Sequence, residues 1–397
     1  MMFDIEKSTD SDKTIINIGP AHPAMHGTIK MVIETDGELI TNCDVHVGYL
    51  HRGFEKSCES ATWQQCIPYV DRLNYCSPLI NNFGFVQALE QLAGIQITER
   101  CKAIRTILAE ISRITDHLTC VAAGSMEMGA MTAFLYAIRT REYLYEHICK
   151  VTGARLTISY ARVGGLASDL PEGWIPRLKE ILQDNKDIMD RFTALLMNNR
   201  IFVDRTRNVG VISKEDAQNW GFTGPVLRST GVAMDCRRYD PYLLYDKLDF
   251  EIPVGKYGDN YDRFYVRIRE IEESIKIVEQ LMDKIPAGDI NVNSPQIMLP
   301  PKSEVYKSIE GIIKHFKITY EGARIPAGDV YSAVEGANGE LGFYLVSDGT
   351  GKPVKCRVRP PCFVLMGGVH NMIKGHMIAD IVATFGSINM IGGECDR

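Results

Sequence analysis

The feature that most constrains the fold is an apolar pattern of helical period that begins at Pro78 and recurs as far as Phe316. Apolar side chains return every three or four residues, first at Leu79, Ile80, Phe83, Val86 and Leu89, then at Ile104, Ile107, Leu108, Ile111, Ile114 and Leu118. Such stripes are typical of helices with one face on a core. The same period predicts further helices at 132–151, 174–196, 258–285 and 305–316. We therefore expect a mainly helical core over residues 55–320.

Both ends of the chain favour β-strands instead. Near the N-terminus, residues 14–18 and the alternating segment 28–35 read as strands, and Asp36-Gly37 predicts a tight turn into a partner strand at 39–47. Near the C-terminus, three strand-like segments separated by glycine-containing turns predict an antiparallel meander, followed by a helix at about 375–385.

These patterns predict an α+β fold, with a helical bundle core and small antiparallel sheets from the N- and C-terminal parts. We expect residues 1–397 to form a single compact unit. Within it we distinguish four parts, namely a flexible lead at 1–13, a β-hairpin region at 14–50, the helical core at 55–320, and a C-terminal β meander and helix at 328–397.

Composition narrows the classes of function. The formal net charge is -6, which argues against nucleic acid as a main partner because phosphate binding needs a basic face. No apolar run reaches transmembrane length. The first 14 residues are polar and acidic and lack arginine, so they resemble neither a secretory signal nor a transit peptide. A bacterial or archaeal cytoplasmic protein is the simplest interpretation.

The cysteines argue against a metal centre. There are 11 of them, and no two have the Cys-x-x-Cys spacing that clusters and zinc sites commonly use. Scattered cysteines in a cytoplasmic chain are most often small buried hydrophobic residues.

A loop at residues 19–27, Gly-Pro-Ala-His-Pro-Ala-Met-His-Gly, presents two imidazoles between strand-like segments. Pro23 disfavours a helical backbone at His22, so His22 and His26 do not form a helical metal-binding pair. Histidine is the side chain that changes charge near neutral pH. The residues alone leave two interpretations open, hydrogen-bonded loop histidines or a chemically active ring.

Arg52 and Arg72 stand in unusual surroundings, the first beside glycines and the second within a fairly apolar segment. Both could be solvated surface charges, the usual situation of arginine. A buried arginine needs an anionic partner. That partner could be Glu55 or Asp71 in this chain, or an anionic cofactor in another chain.

Three further features contain polar groups whose roles the residues alone leave open. Tyr75 is either a core aromatic residue or a hydrogen-bond donor to a ligand, and the sequence favours neither. Glu127 lies among small and apolar residues, so if buried it must pair, and a histidine is a natural partner. The charges on the helix at 258–285 are expected to be mostly a solvated, ion-paired face, with some at an interface.

Several motifs together carry a resemblance to a known family. The loop at 19–27, Gly-Tyr-Leu-His-Arg-Gly-Phe-Glu-Lys at 48–56 and Asp-Arg-Leu-Asn-Tyr at 71–75 resemble the D subunits of bacterial NADH:quinone oxidoreductase, respiratory complex I. Matching motifs follow in order, at 128–131, 258–263, 266–269, 339–342, 346–349 and 396–397. The resemblance extends from about residue 15 to the end of the chain.

The resemblance implies the fold of nickel–iron hydrogenase large subunits. In those enzymes, paired cysteines near both ends of the chain hold the metals. This chain has no such pairs, and Cys76 and Cys395 are isolated. The resemblance therefore implies no metal bound by this chain and a cavity that receives a quinone headgroup instead.

Roles for individual residues also follow from the resemblance. His26 and Tyr75 match the pair that hydrogen-bonds the quinone oxygens, and Glu127 stands where the family generally has the aspartate that partners the histidine. Arg52 and Arg72 match arginines beside the terminal 4Fe-4S cluster of a neighbouring subunit. The expected catalytic residues are His26, Tyr75 and Glu127, and the expected substrate-binding residues are His26, Tyr75 and Met131.

The resemblance further implies partners and a location. The expected partners are the iron-sulfur B subunit, the C subunit of the peripheral arm, the I subunit and the membrane subunit at the quinone channel, with quinone as substrate. The chain by itself is expected to bind no cofactor and to lie on the cytoplasmic side of the bacterial inner membrane as a peripheral protein.

Three alternatives stay open at this point. The complex could be fed by ferredoxin or a reduced deazaflavin, with quinone or phenazine as acceptor. A nickel–iron hydrogenase large subunit is disfavoured by the missing cysteine pairs. A non-catalytic scaffold is disfavoured by His26, Tyr75 and the acidic residue at 127. One departure from the family is the lack of a histidine at 155–157, where Leu156 or Thr157 takes its place.

Overall fold

The computed structural model of the chain describes residues 4–7 and 13–397, with side chains described from residue 13. An N-terminal antiparallel sheet has the strand order β1-β2-β3-β4, formed by Asp4–Lys7, Thr14–Ile18, Lys30–Asp36 and Leu39–His46. The predicted hairpin is β3–β4, and it is confirmed. Residues 4–7 of the predicted flexible lead form a strand, because their backbone pairs with β2. Residues 1–3 and 8–12 of that lead lie outside the described residues.

Two short helices begin the helical part of the chain. They are α1 (Phe54–Ser60) and α2 (Trp63–Val70). The break arises because Ala61 and Thr62 adopt extended backbone conformations and Thr62 caps the next helix. The Thr62 hydroxyl accepts from the Gln65 backbone N–H, and the Gln65 side chain accepts from the Thr62 N–H, which is a capping box.

The central part of the chain is helical, as the apolar period predicted. Its helices are α3 (Pro78–Ala93), α4 (Glu99–Glu127), α5 (Met131–Thr152), α6 (Trp174–Leu196), α7 (Arg200–Thr206), α8 (Lys214–Asn219), α9 (Gly224–Ser229), α10 (Cys236–Tyr239), α11 (Asn260–Met282), α12 (Lys302–Val305) and α13 (Ile309–Tyr320). A small hairpin of β5 (Ala161–Arg162) and β6 (Gly165–Leu166) interrupts them. The segment 221–240 contains α9 and α10. Helix α9 has a proline in its first turn, and α10 begins at an Asp235 cap.

The C-terminal meander is confirmed as an antiparallel sheet in the order β7-β8-β9, formed by Gly328–Gly336, Gly339–Ser347 and Lys355–Arg359. Three helices end the chain where one was expected. They are α14 (Pro361–Ile373), α15 (Ile378–Ile388) and α16 (Gly392–Asp396). The apolar period did not predict α14, because apolar residues occupy most sides of this helix and not one stripe. This distribution is typical of a buried helix. The α+β fold class is therefore confirmed.

Helix α4 is the most deeply buried long element, and it carries charged side chains into the interior. Arg105, Glu110, Arg113, Asp116 and His117 each have an exposed fraction of 0–1%. A buried charge requires compensation. Arg113 and Glu110 pair within α4 at 3.3 Å, and the other partners come from other elements. Arg105 contacts Glu90 of α3 at 2.8 Å, Glu110 contacts Arg237 of α10 at 3.1 Å, and His117 contacts Glu270 of α11 at 2.8 Å.

The charges on α11 were expected to be mostly solvated, and this expectation is wrong. Arg263, Arg267 and Glu270 are buried, with exposed fractions of 0–1%. The reason is that α11 packs against α4, and its charges enter the same interior network. Arg228 of α9, for example, donates to Glu270 at 2.7 Å.

The apolar stripe of α13 faces away from the core. Its large side chains at helical spacing are exposed, at Ile309, Ile312, Ile313, Phe316 and Tyr320. A helical period therefore located this helix without indicating where its apolar face lies. The organisation of the whole chain as a single unit stays a prediction.

Replacing Glu110 with glutamine should lower the free energy of unfolding by about 3–5 kcal/mol, because buried Arg113 loses its carboxylate and buried Arg237 keeps only Asp235. Glu110 accepts from Arg113 and Arg237 and from the Tyr245 hydroxyl at 2.6 Å. Urea unfolding of the chain measures the change. The control is Lys186→Gln, which breaks a half-exposed pair with Glu279 and should cost less than about 1 kcal/mol. Equal, small losses for both variants would contradict the account.

Candidate functional site

The histidine loop is held by a short 3₁₀ helix, Pro23–Met25. His22 caps it, since its Nδ1 accepts from the Ala24 backbone N–H at 3.2 Å. Met25 is fully buried and anchors the loop in the apolar interior. His22 thus shapes the turn, and the second histidine projects from the end of it.

His26 is held by two hydrogen-bond acceptors. Its Nδ1 lies 3.1 Å from the Met390 carbonyl oxygen, and its Nε2 lies 3.4 Å from Glu127 Oε1. The ring also contacts Phe385 edge-to-face at 5.2 Å between centroids. Burial by itself lowers the pKa of His26, but the hydrogen bond with Glu127, the Met390 carbonyl and the Glu127 charge together raise it above the ordinary value. Because both acceptors suit N–H donors, they favour the imidazolium form.

His26 also has an unusual backbone, with φ at 51° in the left-handed region. Residues other than glycine rarely adopt this backbone conformation, which costs of order 1 kcal/mol or more. The turn accommodates it at the end of the 3₁₀ helix, where the His26 N–H donates to the Pro23 carbonyl at 3.1 Å. The result directs the ring toward the C-terminal part of the chain.

Glu127 is the last residue of α4, and the predicted histidine partner is His26. Its Oε2 is buried and has no hydrogen-bond partner among residues 13–397. Gly386 of α15 makes room for it, since a Cβ at that position would lie 2.5 Å from Oε2. The close approach of α15 to the end of α4 therefore depends on a glycine.

Tyr75 lies in the loop between α2 and α3, with an exposed fraction of 36%. Burial of the hydroxyl, together with Cys76, Cys362 and Asp116 nearby, raises the pKa of Tyr75 to about 12, against an opposing effect of Arg52. In the described part of the chain its hydroxyl forms no hydrogen bond, so it is available to an external acceptor. No direct hydrogen bond joins Tyr75 to His26 within these residues either.

Arg52 and Arg72 lie together, and neither forms an ion pair within the described ranges. Arg52 donates to the Arg72 carbonyl at 2.7 Å and to the Gly393 carbonyl at 3.2 Å, while Arg72 donates to the Pro68 carbonyl. Burial and the neighbouring Arg72 charge lower the pKa of Arg52.

The two internal partners considered for these arginines are engaged elsewhere. Glu55 accepts from the Val358 N–H at 3.0 Å and pairs with Arg397 at 3.3 Å, and Asp71 accepts from the Ser159 hydroxyl at 2.7 Å. Burial raises the pKa of Asp71 to about 7. Among the described residues the arginine pair therefore has no carboxylate in direct contact, and Asp396 and Asp71 act on it only through space.

Met131 begins α5, four residues after Glu127, and its side chain is exposed. It lines an apolar cavity of about 320 Å³ together with Met128, Leu195, Ile201 and Phe202. The structure thus brings together His26 with Glu127, and Arg52 with Arg72, whereas Met131 lines a cavity whose lining includes none of these four residues.

Two contacts of the site were not predicted from the sequence. The Met390 carbonyl and Gly386 lie more than 350 residues from His26 along the chain. A backbone carbonyl carries no residue-type signal, and a glycine within an apolar helix looks the same whether it packs against a carboxylate or not.

Two properties of the described residues bear on the chemistry. They contain no group of three or more His, Cys, Asp or Glu side chains arranged to hold a metal ion. Within the same ranges, the helices lack the combination of length and apolar character that crossing a membrane requires.

Comparison with known proteins decides the family. Residues 127–397 match the family model described as "Respiratory-chain NADH dehydrogenase, 49 Kd subunit". The chain belongs to this family. It is 56% identical over 393 residues to the D subunit of NADH-quinone oxidoreductase from Pelobacter propionicus, covering 99% of this chain and 98% of that protein. It is 53% identical over 394 residues to the D subunit from Myxococcus xanthus, covering 99% and 95%.

A further relative in this 49-kDa subunit family has a longer chain. It is the C/D subunit of NADH-quinone oxidoreductase from Bdellovibrio bacteriovorus, 47% identical over 382 residues, covering 96% of this chain and 68% of that protein. This chain is accordingly a subunit of an NADH-quinone oxidoreductase, an enzyme complex of several subunits. The membership agrees with the hydrogenase large-subunit-like fold that the resemblance implied.

Replacing Gly386 with alanine should lower the pKa of His26 without unfolding the chain. The new methyl group displaces the flexible Glu127 carboxylate, and this carboxylate is one of the groups that raise the pKa. Histidine-detected NMR titration, assigned by the signal lost in His26→Gln, measures the change.

The matched control for this variant is Gly367→Ala, also on a helix, where the nearest atom to the added Cβ lies at 3.7 Å. It should leave the His26 titration unchanged. An unchanged His26 pKa in Gly386→Ala would show that Glu127 does not hold the imidazolium.

Proposed function

We propose that this chain forms the quinone-reducing site of a proton-translocating NADH:quinone oxidoreductase, jointly with a neighbouring iron-sulfur subunit. Electrons come from the terminal 4Fe-4S cluster of that neighbour. The observation that carries the proposal is the position of His26, an imidazole held between Glu127 and the Met390 carbonyl and still partly exposed.

Quinone reduction adds two electrons and two protons, so each carbonyl oxygen must receive a proton. His26 supplies the first donor. Its Nε2–H faces Glu127 at 3.4 Å, a long hydrogen bond that a quinone oxygen can replace or share. The raised pKa shifts His26 toward its protonated form, and Glu127 stabilises the charged ring. General acid groups of this kind typically contribute roughly 10²–10⁴-fold to a rate.

Tyr75 supplies the second donor. A pKa of about 12 keeps the phenol protonated over the physiological pH range, so the hydroxyl carries a proton that it can donate. The hydroxyl has no competing partner in residues 13–397, which leaves it available to the second quinone oxygen. The two donors therefore differ in kind, since the protonated imidazole carries a positive charge and the phenol is neutral.

Arg52 and Arg72 fit the neighbourhood of an electron donor in a second chain. Both guanidinium groups bond to backbone carbonyls of this chain and carry no carboxylate partner within the described ranges. Positive charge beside a cluster stabilises its reduced form electrostatically. The pair thus suits a surface that meets the cluster-bearing B subunit.

The remaining partners are proposed because the chain belongs to this family. The printed name of the Bdellovibrio relative joins C and D in one protein, which supports the C subunit as a neighbour. We place the I subunit and the membrane subunit at the quinone channel, and the chain on the cytoplasmic side of the inner membrane as a peripheral protein. Met131, at its exposed cavity, is proposed to contact the substrate.

His26→Gln and Tyr75→Phe should each reduce quinone turnover of the assembled complex at least about tenfold, because each removes a proton donor. NADH oxidation by an artificial acceptor, which takes electrons before they reach the quinone, should stay unchanged and reports assembly. The quantity compared is the ratio of the two activities.

The matched controls are His315→Gln on α13 and Tyr306→Phe, a tyrosine with an exposed fraction of 80%. Both should keep the wild-type ratio. Wild-type quinone turnover in both His26→Gln and Tyr75→Phe would overturn the proposed site and favour a scaffold role.

A further inference from the structure

We propose that Asp116 is a positioning residue that aligns the two proton-donating arms of the quinone site, the Tyr75 loop and the turn that holds His26. The inference rests on the proposed function and adds a residue to it. Asp116 lies on α4 with an exposed fraction of 0%. It forms no salt bridge among the described residues, so its carboxylate is available to hydrogen-bond donors.

One carboxylate oxygen of Asp116 holds the Tyr75 loop from both sides. Its Oδ2 accepts from Asn74 Nδ2 at 2.8 Å and from the Ser77 hydroxyl at 2.6 Å. Asn74 precedes the tyrosine and Ser77 follows it by two residues. The backbone on each side of Tyr75 is therefore tied to α4.

Asn74 forms two further hydrogen bonds that restrain the loop. Its Oδ1 accepts from the Cys76 N–H at 3.1 Å, and its backbone carbonyl accepts from Asn81 Nδ2 at 2.8 Å. The loop thus has little freedom once Asp116 holds Asn74, and the direction of the Tyr75 side chain follows from it.

The other carboxylate oxygen of Asp116 holds the His26 arm. Its Oδ1 accepts from Asn389 Nδ2 at 2.8 Å. Asn389 lies in the left-handed backbone region, with φ at 61°, at the end of α15. The next residue is Met390, whose carbonyl accepts from His26 Nδ1 at 3.1 Å. One carboxylate is therefore linked to both donors of the site.

Helix geometry places Glu127 in the same frame. Asp116 and Glu127 are eleven residues apart on α4, which is about three turns and a separation of roughly 16 Å along the axis. Eleven residues return a side chain to nearly the same face of a helix. A single rigid face of α4 therefore sets the positions of the loop, the turn and the acidic partner of His26.

The chemistry of these bonds requires a carboxylate. Asn74, Ser77 and Asn389 all donate, and only a group that accepts on both oxygens satisfies all three. An asparagine at position 116 keeps the size but presents an NH₂ group to one donor. Its carbonyl can still hold the Tyr75 loop, and then the contact with Asn389 becomes donor against donor.

Asp116→Asn in the assembled complex should lower kcat for quinone reduction about tenfold or more while KM changes less than about threefold. Misplacing a donor by around 1 Å costs up to roughly 10²-fold, whereas the contacts that bind the rest of the quinone are untouched. The readout again uses the artificial-acceptor activity as the reference for assembly.

The exchanged pair Asp116→Asn with Asn389→Asp tests the bond to the His26 arm. The introduced amide would then donate to the carboxylate at position 389 and keep its carbonyl toward Asn74 and Ser77. Asn389 Nδ2 also donates to Asn338 Oδ1 at 2.8 Å, and the exchange loses that bond. We therefore expect the exchange to restore part of the lost kcat. A single Asp116→Asn variant with wild-type kcat would overturn the proposal.

A control and a substitute complete the design. Thr106→Val alters another buried side chain of α4, whose hydroxyl bonds the Lys102 carbonyl of the same helix, and it should keep wild-type kcat. If Asp116→Asn prevents assembly, Ser77→Ala removes only the 2.6 Å donor, and an unchanged kcat there would overturn the proposal.

The two proposals fail in distinguishable ways. Wild-type turnover in His26→Gln and Tyr75→Phe removes the quinone site itself, whatever Asp116 does. Loss of turnover in those variants with full activity in Asp116→Asn leaves the site in place and removes only the positioning role.

Discussion

The structure depends on one constraint, that the ionisable side chains buried on α4 must each find a partner. Three of these side chains join α4 to other elements. Arg105 bonds to α3, Glu110 to α10 and Arg113 to the β7 backbone. Leaving any of these charges unpaired would cost several kcal/mol. The helix is thereby fixed in direction and rotation, and the residues farther along it inherit that fixed frame.

The candidate site uses the C-terminal half of the same helix. Asp116 there holds the Tyr75 loop and the turn at Asn389, and Glu127 meets His26 at the last residue of the helix. Gly393 completes the arrangement, because a Cβ at that position would lie 2.6 Å from the Arg72 carbonyl, and only a glycine lets α16 approach the loop so closely. Segments from both ends of the chain therefore converge on α4, although they are hundreds of residues apart.

Much of this could be predicted from the sequence, and the exceptions have physical reasons. The apolar period located α3, α4 and α11, since burial of one helix face leaves a repeating signal. The same signal did not reveal that the stripe at Ile309 and Phe316 faces outward, or that Arg263 and Arg267 are buried, because period carries no information about what covers a face. The need of a buried carboxylate for a partner anticipated the Glu127–His26 contact. The bonds of Asp116 to residues 74, 77 and 389 could not be anticipated, since they depend on the tertiary fold.

A structure of the assembled complex with bound quinone would show whether this frame brings His26 and Tyr75 to one quinone headgroup. We expect one headgroup oxygen within about 3 Å of His26 Nε2 and the other within about 3 Å of the Tyr75 hydroxyl. Asp116 should keep its three donors in that structure. A headgroup that binds away from both side chains, for example wholly within the cavity at Met131, would contradict the account.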